Sequence, residues 1–186
     1  MILVFLHGKG ANEEAYGEQL KVLAENLSAQ YVSLRAPFYC VEKKGKYLWF
    51  NKFLQNNRRD AVKEEYAQSL SYIKNEIQKL SYPLTDIVLI GHSQGGGMAV
   101  SVGLELKLKA VFSICGDLPY NLEYKNLSDT SIYWLEGADD VYIDEDRKKS
   151  YKMLTDVGAD FNYMLVDNCT HSEIDNAFLE IEEILK

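Results

Sequence analysis

Asp86-Ile87-Val88-Leu89-Ile90-Gly91-His92-Ser93-Gln94-Gly95-Gly96-Gly97 is the stretch on which the fold turns. Asp86 to Ile90 is a short, β-branched, almost wholly apolar run, the pattern of a strand covered on both faces. Gly91 to Gly97, four of them glycines, then turns into a helical pattern that reaches about Leu106. Gly91 and Gly95 stand two residues either side of Ser93, so the chain can reverse sharply there without side chains in the way. Strand, Gly-x-Ser-x-Gly and helix together make the nucleophile-elbow pattern, which holds a hydroxyl above a sheet at a helix N-terminus.

Outward from this stretch the same alternation repeats. Ile2 to Leu6 reads as a buried strand, followed by a helix from Glu13 to about Ala29 with Asn12 as its N-cap. Tyr31 to Leu34 is a short strand, and Asp60 to Leu80 a long amphipathic helix stopped by Pro83. Beyond the elbow come strand Lys109 to Ile114, strand Ser131 to Glu136, helix Asp144 to Val157, strand Phe161 to Val166 and helix Ser172 to Leu185. Six such runs with amphipathic helices between them predict a mostly parallel sheet with helices on both faces. Ala36 to about Arg59 has no clear period and is long for a loop, so it is expected to be functional or to contain small local structure.

The chain has 186 residues, 47% of them hydrophobic and 26% charged, which fits one globular domain over 1–186. A net charge of -8 excludes the basic footprint of a nucleic-acid binder. The three cysteines, Cys40, Cys115 and Cys169, are too few for a disulfide framework and lack metal-ligand spacing. The start, Met1 to Gly8, has neither a basic leader nor a span-length apolar run. A cytoplasmic protein without stable membrane insertion is expected. His7-Gly8-Lys9-Gly10 lacks the third glycine of a dinucleotide fingerprint and the remainder of a P-loop, so nucleotide binding is not expected.

Ser93 needs a base within hydrogen-bond reach to act as a nucleophile. Of three histidines, His92 adjoins the elbow and should point away from the attacking face, and His7 belongs to the turn after the first strand. His171 remains, in a loop after a strand, at the carboxyl edge where such sites collect. The acid that would orient it lies in Glu136-Gly137-Ala138-Asp139-Asp140, where either aspartate can reach that edge. The chain order serine, acid, histidine is that of the α/β-hydrolase arrangement. For the oxyanion, one donor is the N–H of Gln94, after the nucleophile; the second is assigned to Lys9 in the turn after the first strand.

These residues resemble the carboxylesterase and acyl-protein thioesterase (lysophospholipase-like) branch of the α/β hydrolases over nearly the whole chain. Leu6-His7-Gly8-Lys9-Gly10 is similar to its Leu-His-Gly-x-Gly turn, Gly91 to Gly96 to its Gly-x-Ser-Gln-Gly-Gly elbow, and Thr170-His171 to its Gly-His. The resemblance of Gly137 to Asp140 to its Gly-x-x-Asp loop implies Asp140 as the acid. Ala36-Pro37 and Trp49-Phe50-Asn51 resemble an Ala-Pro segment and a Trp-Phe-Asp stretch beside the acyl site, which implies that Trp49 and Phe50 bind substrate. With Phe38, Tyr39, Tyr47, Leu48 and Phe53 they would form an aromatic wall.

The chain departs from that branch at Glu136 and Asp144, where it commonly has His and Pro, at Asn51 for Asp, and at Lys9 for an apolar residue. It also begins at what looks like the branch's third strand. The expectation is a compact α/β-hydrolase fold with no separate lid domain and a small, open site. The activity implied is cleavage of a small acyl ester or thioester without cofactor or metal, with a homodimer allowed. The alternative is a catalytically silent hydrolase fold that binds a small ligand or a protein. Lys43, Lys44 and Lys46 form a basic island that would favour anionic substrates, against the plainer reading of a solvated loop.

Overall fold

The computed structural model describes residues 1–55, 58–142 and 145–186. Strands β1 (Ile2–Leu6) and β2 (Gln30–Leu34) flank helix α1 (Gly17–Asn26). Four short strands follow, β3 (Phe38–Tyr39), β4 (Tyr47–Leu48), β5 (Lys52–Gln55) and β6 (Arg58–Ala61), then α2 (Lys63–Lys79). The remainder is β7 (Ile87–His92), α3 (Gln94–Glu105), β8 (Ala110–Ile114), β9 (Ile132–Gly137), α4 (Glu145–Asp156), β10 (Phe161–Val166) and α5 (Asp175–Leu185). Asp144, where the sequence begins the fourth helix, lies outside the described residues, as do Asn56 and Asn57 of the aperiodic stretch.

The six long strands form one sheet in the order β10-β9-β8-β7-β1-β2, and every neighbouring pair is parallel. Its apolar runs are explained by cover on both faces. Ile2, Val4 and Leu6 of β1 and Leu89 of β7 pack with Ile73 and Ile77 of α2, Met98 of α3 and Leu154 of α4. The alternate residues Leu3, Phe5, Val88 and Ile90 pack with Leu20 and Leu23 of α1 and Phe178 and Ile181 of α5. A strand buried on both sides keeps no polar face, so β1 and β8 are buried from end to end. No helix among the described residues is long and apolar enough to cross a membrane.

The chain leaves β1 toward β2 and returns through β7 on the other side of β1, so the order reverses between β1 and β7. Carboxyl ends at such a reversal splay apart and open a crevice. Both candidate loops, after β1 and after β7, start at this point.

Three helices begin later than periodicity predicts, among them α5, at Asp175 rather than Ser172. Helix α1 starts at Gly17 because Tyr16 takes a left-handed φ of 57°, its ring set edge-on to Phe5 and to His92. Helix α2 starts at Lys63 because Arg58–Ala61 pairs with β5 as an antiparallel strand. Asn121 clamps that strand, accepting from the Ala61 N–H at 2.9 Å and donating to the Ala61 carbonyl at 2.7 Å. The aperiodic stretch thus holds small local structure, two two-stranded ribbons.

Candidate active site

The elbow follows from steric necessity. A Cβ on Gly91 would lie 2.2 Å from the Gly95 carbonyl oxygen, and one on Gly95 would lie 2.3 Å from the Leu6 carbonyl oxygen. Neither position admits a side chain. Ser93 between them has φ 53° and ψ -119°, a conformation that costs a non-glycine residue about 1–3 kcal/mol and lifts its Oγ off the sheet.

His171 comes from the loop after β10, and its Nε2 lies 3.1 Å from Ser93 Oγ. Its Nδ1 lies 2.8 Å from Asp140 Oδ2, on a carboxylate whose other oxygen accepts the Tyr142 N–H at 2.8 Å. The loops after β9 and β10 are tied together by their backbones: Ala138 N–H donates to Val166 and Asp139 N–H to Cys169. Asp139 is exposed and Asp140 buried. Burial opposes a charged His171 ring, but contacts with the Cys115 thiol and the Asp140 carboxylate outweigh it and raise the His171 pKa above 6.5.

Two other histidines serve this geometry. His7 Nε2 accepts the Ala36 N–H at 3.1 Å, so Nδ1 carries the proton and donates to the Gly8 carbonyl at 2.8 Å. Burial lowers its pKa, in keeping with that neutral tautomer. His92 Nε2 donates to the His171 carbonyl at 2.7 Å and so anchors the backbone of that residue. Elbow spacing did not reveal this contact, because it joins residues 79 apart.

The turn after β1 lies against the elbow, with the Cβ position of Gly8 3.3 Å from Ser93 Cβ. Among the described residues, the backbone N–H groups of Lys9 and Gln94 donate to no acceptor. The Gln94 side chain is buried and bridges the elbow to the chain after β4, accepting from Trp49 N–H at 2.8 Å and donating to the Phe50 carbonyl at 2.7 Å.

A cavity of about 480 Å³ opens on Ser93 and His171. Lys9, Lys43, Lys52, Asp117, Tyr142 and Ser172 line it. Trp49 and Phe50, expected on its wall, do not line it; they are 0% and 1% exposed. The indole N–H of Trp49 donates to the His7 carbonyl at 2.8 Å, and the Phe50 ring packs on Tyr66. A buried indole N–H needs an acceptor, and satisfying it turns the ring inward.

Two features carried no sequence signal. Glu136 is fully buried beneath the acid loop and accepts the Tyr151 hydroxyl at 2.6 Å. Cys115, buried just after β8, sits by His171, and contact with the Cys169 thiol together with burial keeps its own thiol protonated. Cys115, Asp140 and His171 form the one described group with metal-ligand chemistry, their donor atoms within 4.8 Å of one another. The Asp140–His171 hydrogen bond already employs two of the three, and we assign no metal there.

A doubly covered parallel sheet with a serine elbow at its reversal point and a histidine loop facing it defines an α/β-hydrolase fold. The chain belongs to the phospholipase/carboxylesterase family, whose model matches residues 1–186. That family is one of ester hydrolases, and the chain is one of them. Solved structures agree in fold. Arabidopsis thaliana SOBER1 is 18% identical, with 100% of this chain and 97% of that one covered at a TM-score of 0.75. The Bacillus cereus carboxylesterase is 21% identical over 99% of this chain and 86% of that one, TM-score 0.73. Zea mays acyl-protein thioesterase 2 is 19% identical over 100% and 94%, TM-score 0.72. No curated protein matches the chain by sequence.

Proposed function

We propose that the chain hydrolyses carboxylic esters or thioesters through an acyl-enzyme on Ser93. The observation that carries this reading is the row Ser93 Oγ, His171 Nε2, His171 Nδ1, Asp140 Oδ2, with gaps of 3.1 and 2.8 Å. His171 takes the Ser93 proton as Oγ bonds to the acyl carbon, and the Lys9 and Gln94 N–H groups receive the oxyanion. The tetrahedral intermediate collapses as His171 gives its proton to the leaving oxygen or sulfur. Water, deprotonated by the same ring, then releases the acid and restores Ser93. Asp140 holds the Nδ1–H tautomer throughout. Trp49 and Phe50 act indirectly, by fixing Gln94 and the turn at His7. The unpaired cysteines support placing this activity in a reducing compartment such as the cytoplasm.

A fluorophosphonate probe tests the reading. It should label the wild type and leave Ser93→Ala unlabelled, and 4-nitrophenyl acetate should give a burst of nitrophenol equal to the enzyme present. Equal labelling of both proteins would refute it.

A further inference from the structure

We propose that the substrate of this site carries an anionic group, a carboxylate or phosphate close to the scissile carbonyl, which is read by the ammonium of Lys43 with that of Lys9. This rests on the esterase reading above and names the substrate class. Among the described residues, the cavity at Ser93 is lined by three lysines and one carboxylate, Asp117, in a chain whose net charge is -8. Positive charge is gathered where the reaction occurs, against the average of the molecule.

The three lysines are not equivalent. Lys52 is paired with Asp117, both side chains mostly buried, and its charge is spent on that partner. Lys9 meets Glu42 at 3.7 Å with both side chains well exposed, a contact of little strength that a ligand can displace. Lys43 has no carboxylate partner among the described residues. Its stem lies over the turn after β1, with Nζ 3.6 Å and Cδ 3.4 Å from the Cβ position of Gly10. Its charge therefore stands beside the loop that supplies the Lys9 N–H.

Among the described residues, the cavity also lacks what a long acyl chain requires: no aliphatic side chain lines it beyond the lysine stems, and Trp49 and Phe50 face inward. Its described neutral lining groups, Ser93, Gln94, Tyr142 and Ser172, are polar. A hydrocarbon tail would find little surface there on which to leave water, whereas an anion would find the Lys43 ammonium.

Two pairs of esters of similar length, normalised to their alkaline hydrolysis rates, test this by titration of released acid. Monomethyl succinate against methyl pentanoate puts the anion on the acyl side; the acetate ester of 3-hydroxypropanoate against butyl acetate puts it on the leaving side. Wild type should prefer the anionic member about tenfold in kcat/KM in at least one pair, and the preference should shrink between about 20 mM and about 300 mM salt as screening grows. Lys43→Gln should bring the ratio close to one. Lys44→Gln, an equal change of net charge outside the cavity, should keep it. Preference for the neutral member in both pairs, or an unchanged ratio in Lys43→Gln, overturns the proposal. So does failure to hydrolyse all four esters by an enzyme whose Ser93 is still labelled, which would leave the serine-hydrolase reading standing. Loss of labelling as well would overturn both.

Discussion

Asp140→Asn isolates the tautomer on which the mechanism depends. Asp140 Oδ1 accepts the Tyr142 N–H at 2.8 Å while Oδ2 faces His171 Nδ1 at 2.8 Å. An asparagine must keep its one oxygen toward Tyr142, since an NH₂ there would oppose a backbone donor. The NH₂ then faces Nδ1, which becomes an acceptor, and the ring proton moves to Nε2. That nitrogen now donates to Ser93 Oγ and cannot take its proton. Where an acid-to-amide change elsewhere has had this effect, turnover falls about 10⁴-fold, or about 5.4 kcal/mol at about 1.36 kcal/mol per decade. The assay is kcat for 4-nitrophenyl acetate at neutral pH, with thermal melting to show that the variant is folded. Asp139→Asn, on the exposed neighbour, is the control and should retain activity within about threefold. A folded Asp140→Asn with a loss below tenfold, or an equal loss in Asp139→Asn, would refute the reasoning.

Four further outcomes are expected. Because a histidine acts as a base only when neutral and the His171 pKa is raised above 6.5, the proposed mechanism requires kcat/KM to be low in acid and to rise through an apparent pKa above 6.5; a midpoint below 6.5 would contradict the joint effect of the Cys115 and Asp140 contacts. The stability contributed by the charged ring has the opposite sense, present in full below 6.5 and lost as pH rises through the folded pKa, as thermal melts across pH should show. Gln94→Met keeps volume but leaves Trp49 N–H and the Phe50 carbonyl unpaired, at about 1–3 kcal/mol each, so Tm should fall by roughly 5–15 °C; a fall under about 2 °C would deny the bridge. Gly95→Ala drives a Cβ to 2.3 Å from the Leu6 carbonyl oxygen and should yield no folded enzyme, whereas Gly17→Ala, with open space around it, should fold and react normally.

The alternation of apolar runs and amphipathic helices is written in near-neighbour chemistry, and so are the elbow glycines, which meet atoms within a few residues or across one strand. These features were legible because strand cover shows in local apolar periodicity and the elbow shows in the spacing of two glycines about one serine, whichever atoms crowd them. Ser93 and His171 could be singled out on the same basis, the one by its turn and the other by elimination among three histidines. What the amino acids alone did not reveal is which way side chains in the irregular segments face. Trp49 and Phe50 read as an aromatic wall, but contacts with His7, Gln94 and Tyr66, in elements far apart in sequence, turn them into the core. His92 holding the His171 carbonyl and Glu136 receiving the Tyr151 hydroxyl were equally hidden. A donor's partner in such segments is fixed only when the sheet brings distant loops to one edge, and the polar, lysine-lined cavity exists only in that assembled state.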